Sequence, residues 1–131
     1  MTTIKSYTDI PQSKKLAEIL PITSIDFAWN IFSDGSTRLL PMDDWQVSEN
    51  AKSNVEIIPC WSLTALLSVL PVSCDDGQHC LALINHNPNE KTEWLCAYED
   101  DKGNLMMECY ADNQIDACVA MIDKLHEQNL L

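Results

Sequence analysis

Glu93-Trp94-Leu95-Cys96-Ala97-Tyr98-Glu99-Asp100-Asp101-Lys102-Gly103-Asn104-Leu105-Met106-Met107-Glu108-Cys109-Tyr110 is the stretch that decides the fold class. Two apolar runs flank a short polar segment containing a glycine, the pattern of a β-hairpin. Reading Lys102-Gly103 as a two-residue turn pairs Asp101 with Asn104. Trp94, Cys96, Tyr98, Leu105, Met107 and Cys109 then share one face, while Glu93, Glu99, Met106, Glu108 and Tyr110 share the other. One face is apolar and the other mixed, as a half-buried antiparallel sheet requires. A slip of one residue would destroy that separation, so the register is specified by the pattern itself. It sets Cys96 directly opposite Cys109.

The neighbouring segments extend this unit. Residues 79–86 supply a third strand, giving a meander of 79–86, 93–100 and 104–110. Residues 114–128 carry Ile115, Cys118, Val119, Ile122 and Leu125 at helical spacing. Asn113 is placed to cap that helix, and Asp116 lies in its first turn, where negative charge is favourable. The helix is expected on the apolar face of the sheet.

The N-terminal half reads differently. Residues 12–20 and 60–70 are two short helices, each with proline near its start and just past its end (Pro11 and Pro21, Pro59 and Pro71). Residues 24–32 alternate polar and apolar, lead into Ser33-Asp34-Gly35-Ser36, and return through 37–42 as a hairpin. Residues 43–57 carry the weakest signal and read as a loop, with Trp45 and Val47 extending a strand. The order Ile10-Pro11…Leu20-Pro21 is echoed by Ile58-Pro59…Leu70-Pro71, consistent either with a repeated α–β–β unit or with shared helix punctuation. The fold class is α+β: an antiparallel β-meander packed against a C-terminal helix, with two proline-bounded helices, in a single domain spanning 1–131.

Eight basic against twenty acidic residues give a formal charge of −12. Such a field repels phosphate backbones and anionic membranes, and no basic stripe offsets it. The acidic residues are spread along the chain, as on a solvated surface. The first residues lack the apolar core of a secretory signal, and no apolar run reaches membrane-spanning length. The expected compartment is the cytoplasm, with the six cysteines as free thiols.

Catalytic motifs are sparse. Three glycines, at 35, 77 and 103, are too scattered for a phosphate cradle. Cys80, Cys96 and Cys109 on adjacent strands form a metal-binding or enzymatic alternative, with His79, His86 or His126 as the only imidazoles. Small core residues are the competing reading of the same thiols. Cys60, opening the 60–70 helix, would have a lowered thiol pKa if active there, although its apolar neighbours favour a packing role. Asp43-Asp44, Asp75-Asp76 and Asp100-Asp101 read as turn residues, and His86 in Asn85-His86-Asn87-Pro88-Asn89 likewise. His126 suits a helix C-terminus. No catalytic, cofactor or metal residue is therefore assigned. Trp45, beside Asp43 and Asp44, is the candidate for recognising another protein, with partial core burial as its rival.

Ile58-Pro59-Cys60-Trp61-Ser62-Leu63-Thr64-Ala65-Leu66-Leu67-Ser68-Val69-Leu70-Pro71 and Asp116-Ala117-Cys118-Val119-Ala120-Met121-Ile122-Asp123-Lys124-Leu125-His126-Glu127-Gln128-Asn129-Leu130-Leu131 together resemble a set of uncharacterised short proteins of gut bacteria and their mobile elements or phages. They cover roughly a quarter of the chain. The resemblance implies an origin in mobile elements and carries no activity, cofactor or catalytic residue. The leading functional expectation is a small acidic cytosolic accessory or protein-interaction protein without catalysis. The alternatives are an acidic DNA mimic that binds a DNA-binding partner, and the Cys/His metal protein or enzyme.

Overall fold

A computed structural model describes residues 5–50, 55–74, 77–86 and 93–131. It is α+β, with antiparallel sheets. The described residues divide into two compact units, one within 7–65 and the other within 66–131 together with Lys5 and Ser6.

In the first unit, helix α1 (Ile10–Ala17) begins two residues earlier than the spacing predicts. Asp9 explains the start. Its carboxylate accepts the Gln12 N–H at 2.8 Å, and Gln12 Oε1 accepts the Asp9 N–H at 3.1 Å, a reciprocal capping box. Pro11 occupies the first turn, where its missing N–H costs nothing. A 3₁₀ turn at Ile22–Ser24 leads into strand β1 (Phe27–Ile31), which pairs antiparallel with β2 (Thr37–Pro41) and β3 (Glu56–Cys60) in the order β2-β1-β3. Helix α1 packs on β3.

The described part of 43–57 is not all loop. It includes helix α2 (Asp44–Asn50) and the first two residues of β3, with residues 51–54 outside the described residues. The expectation that Trp45 and Val47 extend a strand is corrected with it. Cys60 does not open a helix but closes β3. Pro59 lies in that strand opposite Ala28, tolerated because β3 is an edge. Helix α3 (Leu63–Val69) starts later, at Ser62, whose hydroxyl accepts the Ala65 N–H at 3.2 Å. Ser62 is itself held by Asp26: one carboxylate oxygen accepts its N–H at 3.0 Å, and the other pairs with its hydroxyl. The two Ile-Pro pairs thus serve different ends, one opening a helix and the other lying in a strand.

The second unit is a four-stranded sheet, β4 (Ser73–Cys74), β5 (His79–His86), β6 (Glu93–Glu99) and β7 (Leu105–Ala111), paired in that order. Helix α4 (Gln114–Glu127) packs on β6 and β7. Asn113 caps it by accepting the Asp116 N–H at 2.8 Å. Asn129, with φ at 56°, closes its other end: the Asn129 and Leu130 N–H groups reach back to His126 and Leu125 carbonyls.

Cys96 does face Cys109, and Tyr98 faces Met107, but the turn between β6 and β7 is wider than two residues. Asp100 N–H bonds the Asn104 carbonyl at 2.9 Å, and Gly103, with φ at 81°, donates to the Asp100 carbonyl at 3.1 Å. Glu99 then pairs with Leu105, and the register shifts before Tyr98 pairs with Met107. The longer turn and the shift compensate, so the upper pairs keep the expected register while Leu105, expected on the apolar face, is exposed. The β1–β2 hairpin uses the same turn: Phe32 N–H to Ser36 carbonyl, Gly35 N–H to Phe32 carbonyl, and Gly35 at φ 86°. In β6, Leu95 and Ala97 are buried as well as Cys96 and Tyr98, so this strand is enclosed on both faces rather than half-buried.

Candidate functional site

Three residues stood out from the sequence, Asp43, Asp44 and Trp45, and the structure gives them different duties. Asp43 is the cap of α2. Its carboxylate accepts the Gln46 N–H at 2.8 Å, and Gln46 Oε1 accepts the Asp43 N–H at 3.0 Å. Asp44 sits in the first turn, where the helix dipole favours its charge. Met42 and Val47 turn inward and are buried. Trp45 turns outward and is 67% exposed, so the core reading is corrected. An indole left this far in water contributes little to the fold.

A second feature of the same unit was invisible in the sequence. A cleft of about 410 Å³ is lined by Asn30, Phe32, Leu40, Pro41, Met42, Gln46, Val55 and Ile57. Asn30, Leu40 and Ile57 come from three adjacent strands and share one sheet face by their register. Asn30 is only 6% exposed, unusual for a carboxamide. Its Nδ2 donates to the Ala28 carbonyl at 3.3 Å and to Met42 Sδ at 3.7 Å. That pair of acceptors fixes which end of the amide carries the nitrogen. The one sequence signal was a polar residue on the inward face of β1.

The thiols sort by burial. All six are free; Cys60, Cys74, Cys96 and Cys118 are buried, Cys109 is half-buried and Cys80 is exposed. Cys80 pairs with Glu99 while Leu83 pairs with Cys96, so Cys80 and Cys96 lie on opposite faces of the sheet and the three-strand convergence fails. Cys96 instead meets Cys118 of α4. Its thiol donates to the Cys118 sulfur, and that bond, with burial, holds Cys96 protonated far above the ordinary thiol range. Cys60 sits in a closed knot: its Sγ is 3.4 Å from Thr8 Oγ1, which is 2.7 Å from Ser13 Oγ. Burial pushes this thiol up, the reverse of an activated nucleophile. Burial likewise raises Cys109.

A thiol-specific disulfide reagent should therefore give one fast-reacting group in the folded chain, Cys80, with Cys109 slower and the other four reacting only on unfolding. Cys80→Ser should abolish the fast phase. Two or more fast groups surviving in that variant would contradict the assigned burial.

The imidazoles are dispersed. His79 begins β5, His86 ends it, and His126 is exposed near the end of α4. The turn beyond His86, residues 87–89, and Asp75-Asp76 lie outside the described residues. His79 lines a second hollow, of about 480 Å³, with Gly77, Gln78, Asp100, Asp101, Lys102 and Asn104. Asp100 serves the turn rather than a ligand. Its carboxylate accepts from Lys102 N–H, Asn104 N–H and Asn104 Nδ2, at 2.9, 2.8 and 3.1 Å. Hydrogen bonds from Asn104, the backbone one foremost, hold its carboxyl below the usual range, as the Ser36 bonds do for Asp34. A depressed carboxyl stabilises its turn above the unfolded value of about 3.9 and loses that contribution as pH falls through the folded value. The amide-proton shifts of Lys102, Asn104 and Ser36 should accordingly titrate with midpoints below about 3.9. Midpoints above that value would contradict these bonds.

Among the described residues, no group of three or more His, Cys, Asp or Glu is placed to hold a metal ion. No helix among them is long and apolar enough to cross a membrane. No family model, curated protein or solved structure matches the chain.

Proposed function

We propose that this chain is a small acidic interaction protein without catalysis of its own, and that Trp45 is the anchor of its binding face. The carrying observation is that Trp45 stands 67% exposed on a capped helix that buries Val47 instead, with Met42 buried just before the cap. Exposed tryptophan is the residue type that most often dominates binding energy when a partner encloses it. Asp43, Asp44 and the −12 net charge favour a partner with a basic rim around an apolar hollow. The resemblance to mobile-element proteins supports an accessory role in a host cell, and the cytoplasm is the compartment this reading takes.

Affinity capture from a native host lysate, run in parallel with wild type and Trp45→Ala, tests the reading. A basic protein held by wild type, released by raised salt and absent from the variant is expected. The same proteins retained equally by both chains would contradict it.

A further inference from the structure

The cleft over the β2-β1-β3 sheet goes beyond that reading. Asn30 is more than nine-tenths buried, yet both of its hydrogen bonds are donated by Nδ2, and its Oδ1 accepts none among the described residues. That oxygen stays open to solvent, so a donor entering the hollow would take the place of water there. Asn30 faces a hollow of about 410 Å³, within the roughly 300–1,000 Å³ of small-molecule sites. Every described lining residue is uncharged, and Phe32, Leu40, Pro41, Met42, Val55 and Ile57 make the surface largely apolar. A charged ligand would find no counter-charge among these described residues. Met42 and Phe32 suit a flat, polarisable ring, since a thioether and an aromatic edge both pack favourably on one.

We infer that this cleft binds a neutral, planar heteroaromatic molecule that donates one N–H or O–H to Asn30 Oδ1. The donor fixes orientation, and the apolar walls supply most of the affinity. The site is separate from Trp45, which does not line it, so either assignment stands if the other falls.

Indole and 1-methylindole are the probes. They share the ring system, and the methyl group of the second removes the donor. Titration of the isotopically labelled full chain, followed by nuclear magnetic resonance, should show saturable shifts from indole at Asn30, Phe32, Leu40 and Ile57. Indole should bind up to about tenfold more tightly than 1-methylindole, the size of one hydrogen bond gained net of water. Asn30→Leu keeps the volume and removes the acceptor, so a folded variant should bind the two probes equally. If that variant does not fold, the comparison of the two probes on wild type decides alone. No saturable shift at these residues up to the solubility of indole, or equal affinity of wild type for both probes, would overturn the proposal.

Discussion

Replacing Trp61 by alanine should destabilise the chain by about 3–5 kcal/mol, a large part of the total stability of a domain this size. The indole is fully buried, and three links converge on this residue. Its Nε1 donates to Ser24 Oγ at 2.9 Å, its backbone N–H donates to Thr8 Oγ1 at 3.2 Å, and its carbonyl accepts the Thr8 N–H at 3.0 Å. Thr8 in turn accepts the Trp29 Nε1–H on its own carbonyl at 3.0 Å and contacts Ser13 and Cys60. The alanine variant would leave a cavity beneath this polar knot and deprive Ser24 of its indole partner. Trp61→Phe keeps most of the apolar area and loses the indole bond, so roughly 1–2 kcal/mol is expected. Urea unfolding reads both variants, and a loss under about 1 kcal/mol for the alanine would contradict the packing described.

In the other unit the largest expected effect comes from Ile122→Ala, about 2–5 kcal/mol. Ile122 is fully buried on the α4 face that also presents Ile115, Cys118, Val119 and Leu125. Alanine is the better helix former, but by no more than about 0.7 kcal/mol, so cavity formation decides the sign. Ile122→Val removes one methylene and should cost about 0.5–1.5 kcal/mol. The same urea titration orders the two; a valine variant as damaged as the alanine one would mean the site is governed by shape rather than by removed volume.

Much of this arrangement was legible in the chain because local and global signals agree there. Residues 79–86 form β5 as the pattern indicates, and Asn113 caps α4 where the capping preference places it. The Cys96–Cys109 pairing follows from side-chain alternation, which survives a misjudged turn because the shift near Glu99 restores the register. What escaped the reading did so for identifiable reasons. Helix α2 is seven residues long, and its one strong mark, the Asp43/Gln46 capping box, sits in a stretch that otherwise reads as polar loop. Pro59 suggests a helix start, yet edge position makes proline acceptable in β3, so Cys60, the last residue of that strand, reads as the first of a helix. The cleft depended on Asn30, Leu40 and Ile57 meeting across three strands, a juxtaposition set by long-range pairing. Trp45 was legible as a candidate, but its exposure followed from the helix the sequence concealed.

That exposure makes one paired measurement decisive for the interaction reading: the unfolding free energy of Trp45→Ala beside its affinity for the protein that wild type captures. Truncating a side chain 67% in water should leave stability within about 0.5 kcal/mol of wild type. Removing a binding anchor should weaken the complex by about 2 kcal/mol or more, roughly thirtyfold. Unchanged stability with that loss of affinity is the expected result. Affinity equal to wild type, or a variant that unfolds readily, would contradict the place given to this tryptophan.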